Sequence, residues 1–257
     1  MNYGLYVSAS GALTNMARQD VYSNNLANVT TAGFKPDMFS IRTRQAVRQE
    51  DNLAMLDSNA MLERLGGGVM PLPTRIDQTP SALEVTGGPL DLGIEGEGFF
   101  AVRTGDSDDP IRLTRDGRLS LNSSGVLVRA TDGAPVLDAG DGEIQLNRDA
   151  AVNIASDGTV RQNGAAVAKI GLWSVPNAGA MVREGNGLFR THGPVSESRT
   201  AGTGSIKQGA VEMSGVNPIS ALMQVTSASR AVQGNLRMIS YFDNTMGMAI
   251  SQLGRVT

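Results

Sequence analysis

Cysteine is missing from this chain of 257 residues. Disulfide bridges and thiolate metal sites are therefore excluded, and nothing in the composition marks the redox state of the compartment. Aromatic residues are scarce at 4%, whereas glycine occurs 31 times, and this balance indicates many tight turns and not a dense enzyme-like interior. The only histidine, His192, cannot form a structural zinc site without cysteine, so we predict no metal site.

The chain also lacks a basic excess and a long apolar run. Its formal net charge is −3, so no nucleic-acid partner is predicted. No apolar stretch approaches the ~20 residues that a membrane-spanning helix needs. The first residues also lack the basic segment that precedes the apolar part of a cleaved secretory signal. We therefore expect a soluble protein that does not use the general secretory route, and export by an uncleaved signal stays open.

No constellation of residues points to catalysis. Gly96 and Gly98 have the spacing of a dinucleotide fingerprint, but a strand-like segment follows them where a phosphate-binding helix should begin. Carboxylates such as Asp108-Asp109 are plentiful, yet no two stand out as an acid–base pair. We predict no enzymatic activity, no cofactor and no small-molecule substrate, and an enzyme is kept only as a disfavoured alternative.

The last forty residues hold the most regular pattern in the chain. Steps of three and four residues from Leu222 meet apolar side chains at eight of ten positions, which is typical of a coiled-coil seam. Asn217 is suited to cap a helix and Pro218 to its first position, so the pattern predicts a helix from Pro218 to Leu253. The predicted seam comprises Leu222, Val225, Val232, Leu236, Ile239, Asp243, Met246, Ile250 and Leu253.

Asp243 is the charged residue of this apolar seam. One interpretation is a locally frayed register in which the side chain turns outward. The other is a polar seam residue that sets the register of an assembly, as buried polar groups do in coiled coils. We favour the second as a hypothesis.

A candidate partner helix lies at the other end of the chain. Residues 3 to 28 show a softer stripe that is rich in alanine and serine, and such a stripe permits close approach of two helices. Gly33 is suited to stop this helix, and Pro36 prevents its continuation. The two terminal helices are predicted to pair with each other and to be partly disordered until assembly.

Between the helices the sequence changes character twice. Residues 36 to 82 combine arginines with glycine and proline, which indicates an extended linker. From Leu83 to Gly204, short apolar runs alternate with Asp-Gly and Asn-Gly turns such as Asn163-Gly164. This alternation is typical of an all-β domain, with Phe99-Phe100 expected in its core. The predicted fold class is therefore α+β, with two terminal helices around an inserted all-β domain.

The end of the first helix carries the segment Asn24-Asn25-Leu26-Ala27-Asn28-Val29-Thr30-Thr31-Ala32-Gly33-Phe34-Lys35. It resembles the N-N-L-A-N-x-x-T-x-G-F-K pattern of the flagellar axial proteins, which comprise the basal-body rod subunits and the hook subunit. Residues 87–100, 113–119 and 206–217 resemble further motifs of that family. The last of these departs from the pattern at Val211 and Gly215, where the family usually has Leu and Asn. The opening segment, residues 1–13, most resembles the proximal-rod type, and the distal-rod type comes next.

The resemblance implies a structural subunit of the basal-body rod that assembles helically and transmits torque from motor to hook. Its implied location is the periplasm-spanning rod, reached by flagellar type III export without cleavage. Its implied partners are other rod subunits, neighbouring axial proteins and further copies of itself. The expected domains are 1–35 and 205–257 for the axial core, 36–82 for the linker and 83–204 for the β domain. The N-terminal assembly residues would be Leu5, Leu13, Met16, Asn24, Asn25, Leu26, Asn28, Gly33 and Phe34.

Two alternatives stay open. Within the family, the chain could be a distal-rod or hook-type subunit. From another class, it could be a β-domain adhesin or binding module whose helices only oligomerise it. Deletion of residues 1–30 would spare ligand binding in such a module, whereas it would abolish incorporation of a rod subunit.

Overall fold

The structure, a computed structural model, describes residues 3–46, 49, 55, 66–105 and 110–253. The chain has the predicted α+β composition, with a long helix near each end and β strands between them. It divides into two compact units. The helical unit contains residues up to Leu26, those between Met38 and Thr74 and those from Pro218 onward, and the β unit contains Ala27–Asp37 and Arg75–Asn217.

Two long helices account for most of the helical unit. Helix α1 spans Tyr3–Ala27, the short helix α2 spans Val195–Ser198 in the β unit, and helix α3 spans Pro218–Leu253. Both long helices confirm the prediction from apolar spacing. Pro218 begins α3, where its missing N–H leaves no helical hydrogen bond unmade. The 36 residues of α3 give a length of about 54 Å at 1.5 Å per residue.

Helices α1 and α3 contact each other at two glycines of α1. A Cβ atom at Gly4 would lie 2.5 Å from Cζ of Phe242, and one at Gly11 would lie 3.1 Å from Oδ1 of Asn235. The residue numbers rise on α1 where they fall on α3, so the helices run antiparallel at these contacts. Glycine permits this approach because it has no side chain to fill the space between the backbones.

The helical unit also contains a two-stranded antiparallel sheet within the span predicted as extended linker. This sheet contacts α1, because the hydroxyl of Thr14 donates to the carbonyl of Val69 and the Val69 N–H donates to the hydroxyl of Ser10, each over 3.4 Å. The paired strands are far apart in the sequence, so local patterning could not reveal their pairing. They are β2 (Ile41–Thr43) and β3 (Val69–Pro71), which follow the short β1 (Asp37–Met38).

The β unit consists of many short strands, as the turn signals predicted. They are β4 (Arg75–Ile76), β5 (Leu83–Val85), β6 (Leu92–Glu95), β7 (Phe99–Arg103), β8 (Ile111–Thr114), β9 (Leu119–Leu121), β10 (Leu127–Arg129), β11 (Val152–Ile154), β12 (Thr159–Gln162), β13 (Ala165–Lys169), β14 (Leu172–Ser174), β15 (Met181–Gly185), β16 (Leu188–Thr191), β17 (Thr200–Ala201), β18 (Ser205–Gln208) and β19 (Ala210–Glu212).

The largest sheet among the described residues of the β unit has six antiparallel strands in the order β15-β16-β8-β7-β14-β17. The β unit also contains a three-stranded sheet, β11-β12-β13, and the pairs β9-β10, β6-β18 and β5-β19. The pair β5-β19 joins a strand near the start of the segment Arg75–Asn217 to the last strand before α3. The two ends of this segment are therefore hydrogen-bonded to each other.

Strand β7 separates two apolar cores. Phe100 and Val102 belong to the larger cluster, whereas Phe99 and Ala101 belong to the smaller one. This division follows from the two-residue period of a strand, which sends alternate side chains to opposite faces of the sheet. Both phenylalanines are almost fully buried, as the sequence predicted for Phe99-Phe100.

The predicted turn at Asn163-Gly164 connects β12 to β13. Asn163 has φ 50° and Gly164 has φ 82°. Positive φ at both central residues is the requirement of the two-residue hairpin turn that fits the twist of the strands. Asparagine followed by glycine meets this requirement with little strain.

Candidate assembly surface and junction

Helix α3 exposes an unusual amount of apolar surface. Only Arg230, Arg237 and Asp243 carry a charge in its 36 residues. Large apolar side chains are exposed in the first turns of the helix and again along its second half: Ile219, Leu222, Met223, Leu236, Met238, Tyr241, Met246, Met248 and Ile250. A solvent-exposed helix normally carries charged and polar residues on its outer face, so this surface is unsuited to permanent contact with water. We call these nine residues the assembly surface.

A different row of α3 residues is covered within the helical unit. Ala221, Ala228 and Val232 are buried, and Val225, Asn235, Ile239 and Phe242 are half-buried. These positions follow one another at three- and four-residue steps, which is the spacing of a helix-packing seam. The small alanines permit close packing on this side of the helix.

The covered row contains three residues of the predicted C-terminal seam. Val225, Val232 and Ile239 belong to both sets. The remaining described seam residues, Leu222, Leu236, Asp243, Met246 and Ile250, are exposed, and the side chain of Leu253 lies outside the described residues. At Leu222, Leu236 and Asp243 the residue that the structure covers lies one position earlier, and these covered residues are Ala221, Asn235 and Phe242. The role of the exposed positions in an assembly stays a prediction.

Helix α1 shows the same division between covered and exposed residues. Leu13 is 68% exposed and Met16 is 48% exposed, whereas the neighbouring Ala12 and Thr14 are buried. Leu5 is half-buried. The predicted assembly residues Leu13 and Met16 of α1 are therefore exposed apolar side chains, like the residues of the assembly surface on α3.

The predicted signature that begins in the last turn of α1 is split between the two units. In the helical unit Asn25 is buried, Leu26 is half-buried and Asn24 is exposed. In the β unit Asn28 is half-buried, and Gly33 and Phe34 are buried. The second half of the signature therefore has a place in the fold of the β unit itself.

Gly33 requires glycine for two reasons. Its φ of +65° lies in the left-handed region, and a Cβ atom there would lie 2.4 Å from the carbonyl carbon of Arg115. The Gly33 N–H donates to the carbonyl oxygen of Glu212 over 2.8 Å. This contact brings the segment that follows α1 against strand β19.

Lys35 and Glu212 form a fully buried ion pair beside that contact. Lys35 Nζ lies 2.6 Å from Glu212 Oε1 and donates a second hydrogen bond to the carbonyl of Thr79 over 2.6 Å. Both side chains have no exposed surface. Burial lowers the pKa of Lys35 from its ordinary value of 10.5, and the charge of the Glu212 carboxylate opposes this shift.

Arg115 completes the buried ionic cluster. Its Nη1 lies 2.9 Å from Glu212 Oε2, its Nη2 donates to the carbonyl of Gly96 over 2.9 Å, and its guanidinium carbon lies 5.1 Å from the centre of the Phe99 ring. The Glu212 carboxylate thus accepts from two cations and also from the N–H of Ser81 over 2.7 Å. A buried carboxylate is stable only when it is paired and hydrogen-bonded in this way.

Backbone hydrogen bonds connect the same three chain segments. The Gly215 N–H donates to the carbonyl of Phe34 over 2.9 Å, and the Asp77 N–H donates to that of Pro36 over 2.9 Å. Residues 33–37, 77–81 and 212–215 therefore meet around Lys35 and Glu212, and we call this region the junction. Arg183 adds to it from strand β15 by pairing with Asp37 and lying 4.3 Å from the Phe34 ring centre.

Sequence reasoning did not assign the ionic cluster. Lys35, Arg115 and Glu212 each occur inside a motif that was matched to the axial family, but their pairing was not predicted. Lys35 and Glu212 are 177 residues apart. The motifs around Arg115 and Glu212 contain other charged residues as well, so no local signal marked these three side chains as a buried cluster.

Among the described residues, no helix is long and apolar enough to cross a membrane. Within the same residues, no group of three or more histidine, cysteine, aspartate or glutamate side chains is arranged to hold a metal ion. The features that stand out are thus the assembly surface and the junction.

Comparison of the sequence with known proteins identifies a family of structural proteins. The family model described as flagella basal body rod protein matches residues 5–35, and the flagellar hook protein FlgE/F/G D1 domain matches residues 93–162. The C-terminal model of the flagellar basal body rod FlgEFG proteins matches residues 207–253. The chain belongs to the flagellar basal-body rod protein family.

Individual relatives match over nearly their whole length. The flagellar basal-body rod protein FlgF of Caulobacter vibrioides is 31% identical over 262 aligned residues, which cover 100% of both chains. The FlgF protein of Mesorhizobium japonicum is 32% identical and covers 99% of each chain. The flagellar basal-body rod protein FlgG of Bacillus subtilis is 29% identical over 94% of this chain and 96% of its own.

Proposed function

We infer that this chain is a structural subunit of the flagellar basal-body rod, and we propose that it belongs to the proximal part of the rod. The full-length similarity to FlgF proteins supports both statements. The observation that carries the structural role is the assembly surface, which exposes large apolar residues on a helix with only three charges. Such a surface requires a protein partner.

Neighbouring subunits are the proposed partners of that surface. A subunit that binds its neighbours by different faces at its two ends produces an open helical array when the rotation does not close. The proposed assembly pairs α1 with α3 as coiled-coil-like helices and packs Leu222, Leu236 and Ile250 against helices of adjacent subunits. The β unit would form an outer layer, and torque would pass through the helical contacts.

The proposed partners are other rod subunits, neighbouring axial proteins and further copies of this chain. The proposed site is the rod of the basal body in the periplasm, and the proposed route is the flagellar type III export apparatus without cleavage. A distal-rod position is the alternative, because FlgG proteins also match nearly the full chain.

Deletion of the gene and inspection of isolated basal bodies tests the proposal. We expect a rod that stops at or near this subunit and a loss of motility. A short remaining rod supports the proximal position, and a rod that lacks only its outer portion supports the distal one. Complete basal bodies with normal hooks in the deletion strain would contradict the function.

Complementation with single variants tests the assembly surface itself. Leu236→Asp places a charge on α3 at a position that is 50% exposed, so the isolated chain should fold while the rod fails to form. The matched control is Val167→Asp on strand β13, where the side chain is 48% exposed but lies in the β unit. The control should restore motility. Equal motility from both variants would count against the assembly surface.

A further inference from the structure

The segments that enter and leave the β unit are bound directly to each other. Residues 27–37 lead from α1 into this unit, and we call them the inbound segment; residues 213–217 lead out to α3 and form the outbound segment. The Gly215 N–H of the outbound segment donates to the carbonyl of Phe34 in the inbound one. Glu212, immediately before the outbound segment, accepts hydrogen bonds from Gly33 and Lys35.

These contacts lie close to both ends of the β unit. Tension applied between the inbound and the outbound segment reaches Gly33 and Gly215 before it reaches any strand of the six-stranded sheet. The force must break the contacts at Glu212 before it can separate the chain ends. Lys35 and Glu212 are 177 residues apart in the sequence. Until their contacts break, the chain between them carries no load, because the contacts connect the two segments directly.

We propose that the junction is a mechanical cross-link that carries tension between the two terminal helices past the β core. The two bonds from the inbound segment to Glu212, one from the Gly33 N–H and one from Lys35, act in parallel, and Lys35 anchors them to the carbonyl of Thr79. Their burial excludes water, which would otherwise compete for each hydrogen bond as it lengthens. The inference rests on the proposed rod function only for its physiological meaning, since a rod subunit would carry load between its helices.

The absence of cysteine from the chain makes the load path measurable. Paired Ala27→Cys and Asn217→Cys substitutions at exposed positions provide attachment points for optical tweezers on the full-length protein. A second pair, Ser123→Cys and Ala165→Cys, lies at exposed positions inside the β unit and loads the chain between β9 and β13. Unfolding from the first pair should release a contour length of roughly 600 Å.

Lys35→Met is the test variant. It removes one cation but leaves Glu212 paired with Arg115, so the buried cluster keeps a balanced charge and the protein should fold. At constant force we expect its lifetime to shorten about tenfold with the 27/217 attachment, as for the loss of one charge-assisted hydrogen bond. With the 123/165 attachment its lifetime should stay within about twofold of the parent protein.

Arg103→Met is the matched control, because Arg103 pairs with Glu143 at 2.8 Å in an ion pair that is partly exposed and lies outside the junction. It should leave both lifetimes unchanged.

Equal shortening of both lifetimes by Lys35→Met would overturn the proposal, since it would mean a general loss of stability. No shortening in the 27/217 attachment would overturn it as well. If Lys35→Met does not fold, Lys35→Arg replaces it, because this variant keeps the charge while it changes the contact with Glu212. The same result is expected, a shorter lifetime with the 27/217 attachment and not with the 123/165 attachment.

These outcomes are independent of the rod function. The measurement uses the isolated chain, so a negative result removes the load path and leaves the rod assignment in place. Complete basal bodies in the deletion strain would remove the rod assignment and leave the measured load path in place.

Discussion

The two units of this chain satisfy their apolar and charged groups in opposite ways. The β unit buries two apolar clusters and closes an ion cluster of Lys35, Arg115 and Glu212 inside itself. The helical unit covers one row of α3 and leaves a second row of large apolar side chains in solvent. The difference supports the proposal that the β unit is complete as a fold, whereas the helical unit is completed by neighbouring subunits. The four predictions below test this contrast, from the largest expected effect to the smallest.

Glu212→Ala should have the largest effect, and it should be confined to the β unit. The change leaves Lys35 and Arg115 buried without their anion, and breaking a buried pair in this way costs about 3–5 kcal/mol. Urea unfolding followed by the fluorescence of Trp173, the only tryptophan, measures the loss. Glu143→Ala is the control, because its ion pair is partly exposed and should cost no more than about 1 kcal/mol. Similar costs for the two variants would show that burial does not govern the cluster.

Replacement of glycine by alanine in the helical unit should change its stability according to what the new methyl group contacts. Gly234→Ala on α3 introduces a methyl group into open space, so it should stabilise the helix by about 1 kcal/mol. Gly11→Ala on α1 places a methyl group 3.1 Å from Oδ1 of Asn235, and this crowding should cancel most of the same gain. Far-UV circular dichroism during thermal unfolding measures the helical signal. A larger gain for Gly11→Ala than for Gly234→Ala would contradict the observed contact between the helices.

Asp243→Leu should change assembly and not the fold. Asp243 is exposed on α3, so its replacement should alter the unfolding free energy by no more than about 0.5 kcal/mol. The hypothesis that it sets the register of the assembly predicts fewer or irregular rods in a complemented deletion strain. Electron microscopy of isolated basal bodies provides the measurement. Rods of normal length and number would leave Asp243 as an ordinary surface residue.

Thr159→Val should produce the smallest effect, on a turn of the β unit. Hydrogen bonds from the backbone N–H and the hydroxyl of Thr159 lower the pKa of Asp157 below its ordinary value of 3.8. The folded protein binds the proton less readily than the unfolded chain, so this contribution to stability is present above pH 3.8 and is lost as the pH falls through the lowered pKa. Loss of the hydroxyl should raise the pKa of Asp157 part of the way back. An NMR titration that shows the same pKa in both proteins would exclude a role for that hydroxyl.

The sequence predicted the elements whose signals are local. Pro218 and the apolar spacing behind it located α3 at its observed start, and Asn163-Gly164 located a hairpin turn with positive φ at both residues. Each of these depends on the conformational preference of a few neighbouring residues. The sequence did not distinguish the α3 residues that are covered within the helical unit from those that are exposed, because one residue along a helix changes the direction of the side chain by about 100°.

Contacts between distant residues were beyond a single sequence. The pairing of β2 with β3 and the ion pair of Lys35 with Glu212 join segments that local periodicity treats as independent. Motif matching located Lys35 and Glu212 in two recognised stretches, but it did not indicate that the stretches touch. Their meeting depends on the closure of the β unit, which is a property of the whole fold.

Native-state hydrogen exchange of the purified full-length chain tests the contrast between the units most directly. We predict that the amides of α3 beyond Ile239 exchange fast, because few residues there are covered, while those of β7 and β8 exchange only on unfolding of the β unit. Addition of assembled rod should slow exchange in α3 and leave β7 and β8 unchanged. If α3 in the isolated chain is protected as strongly as β7, the helical unit is complete without neighbours and the account is wrong.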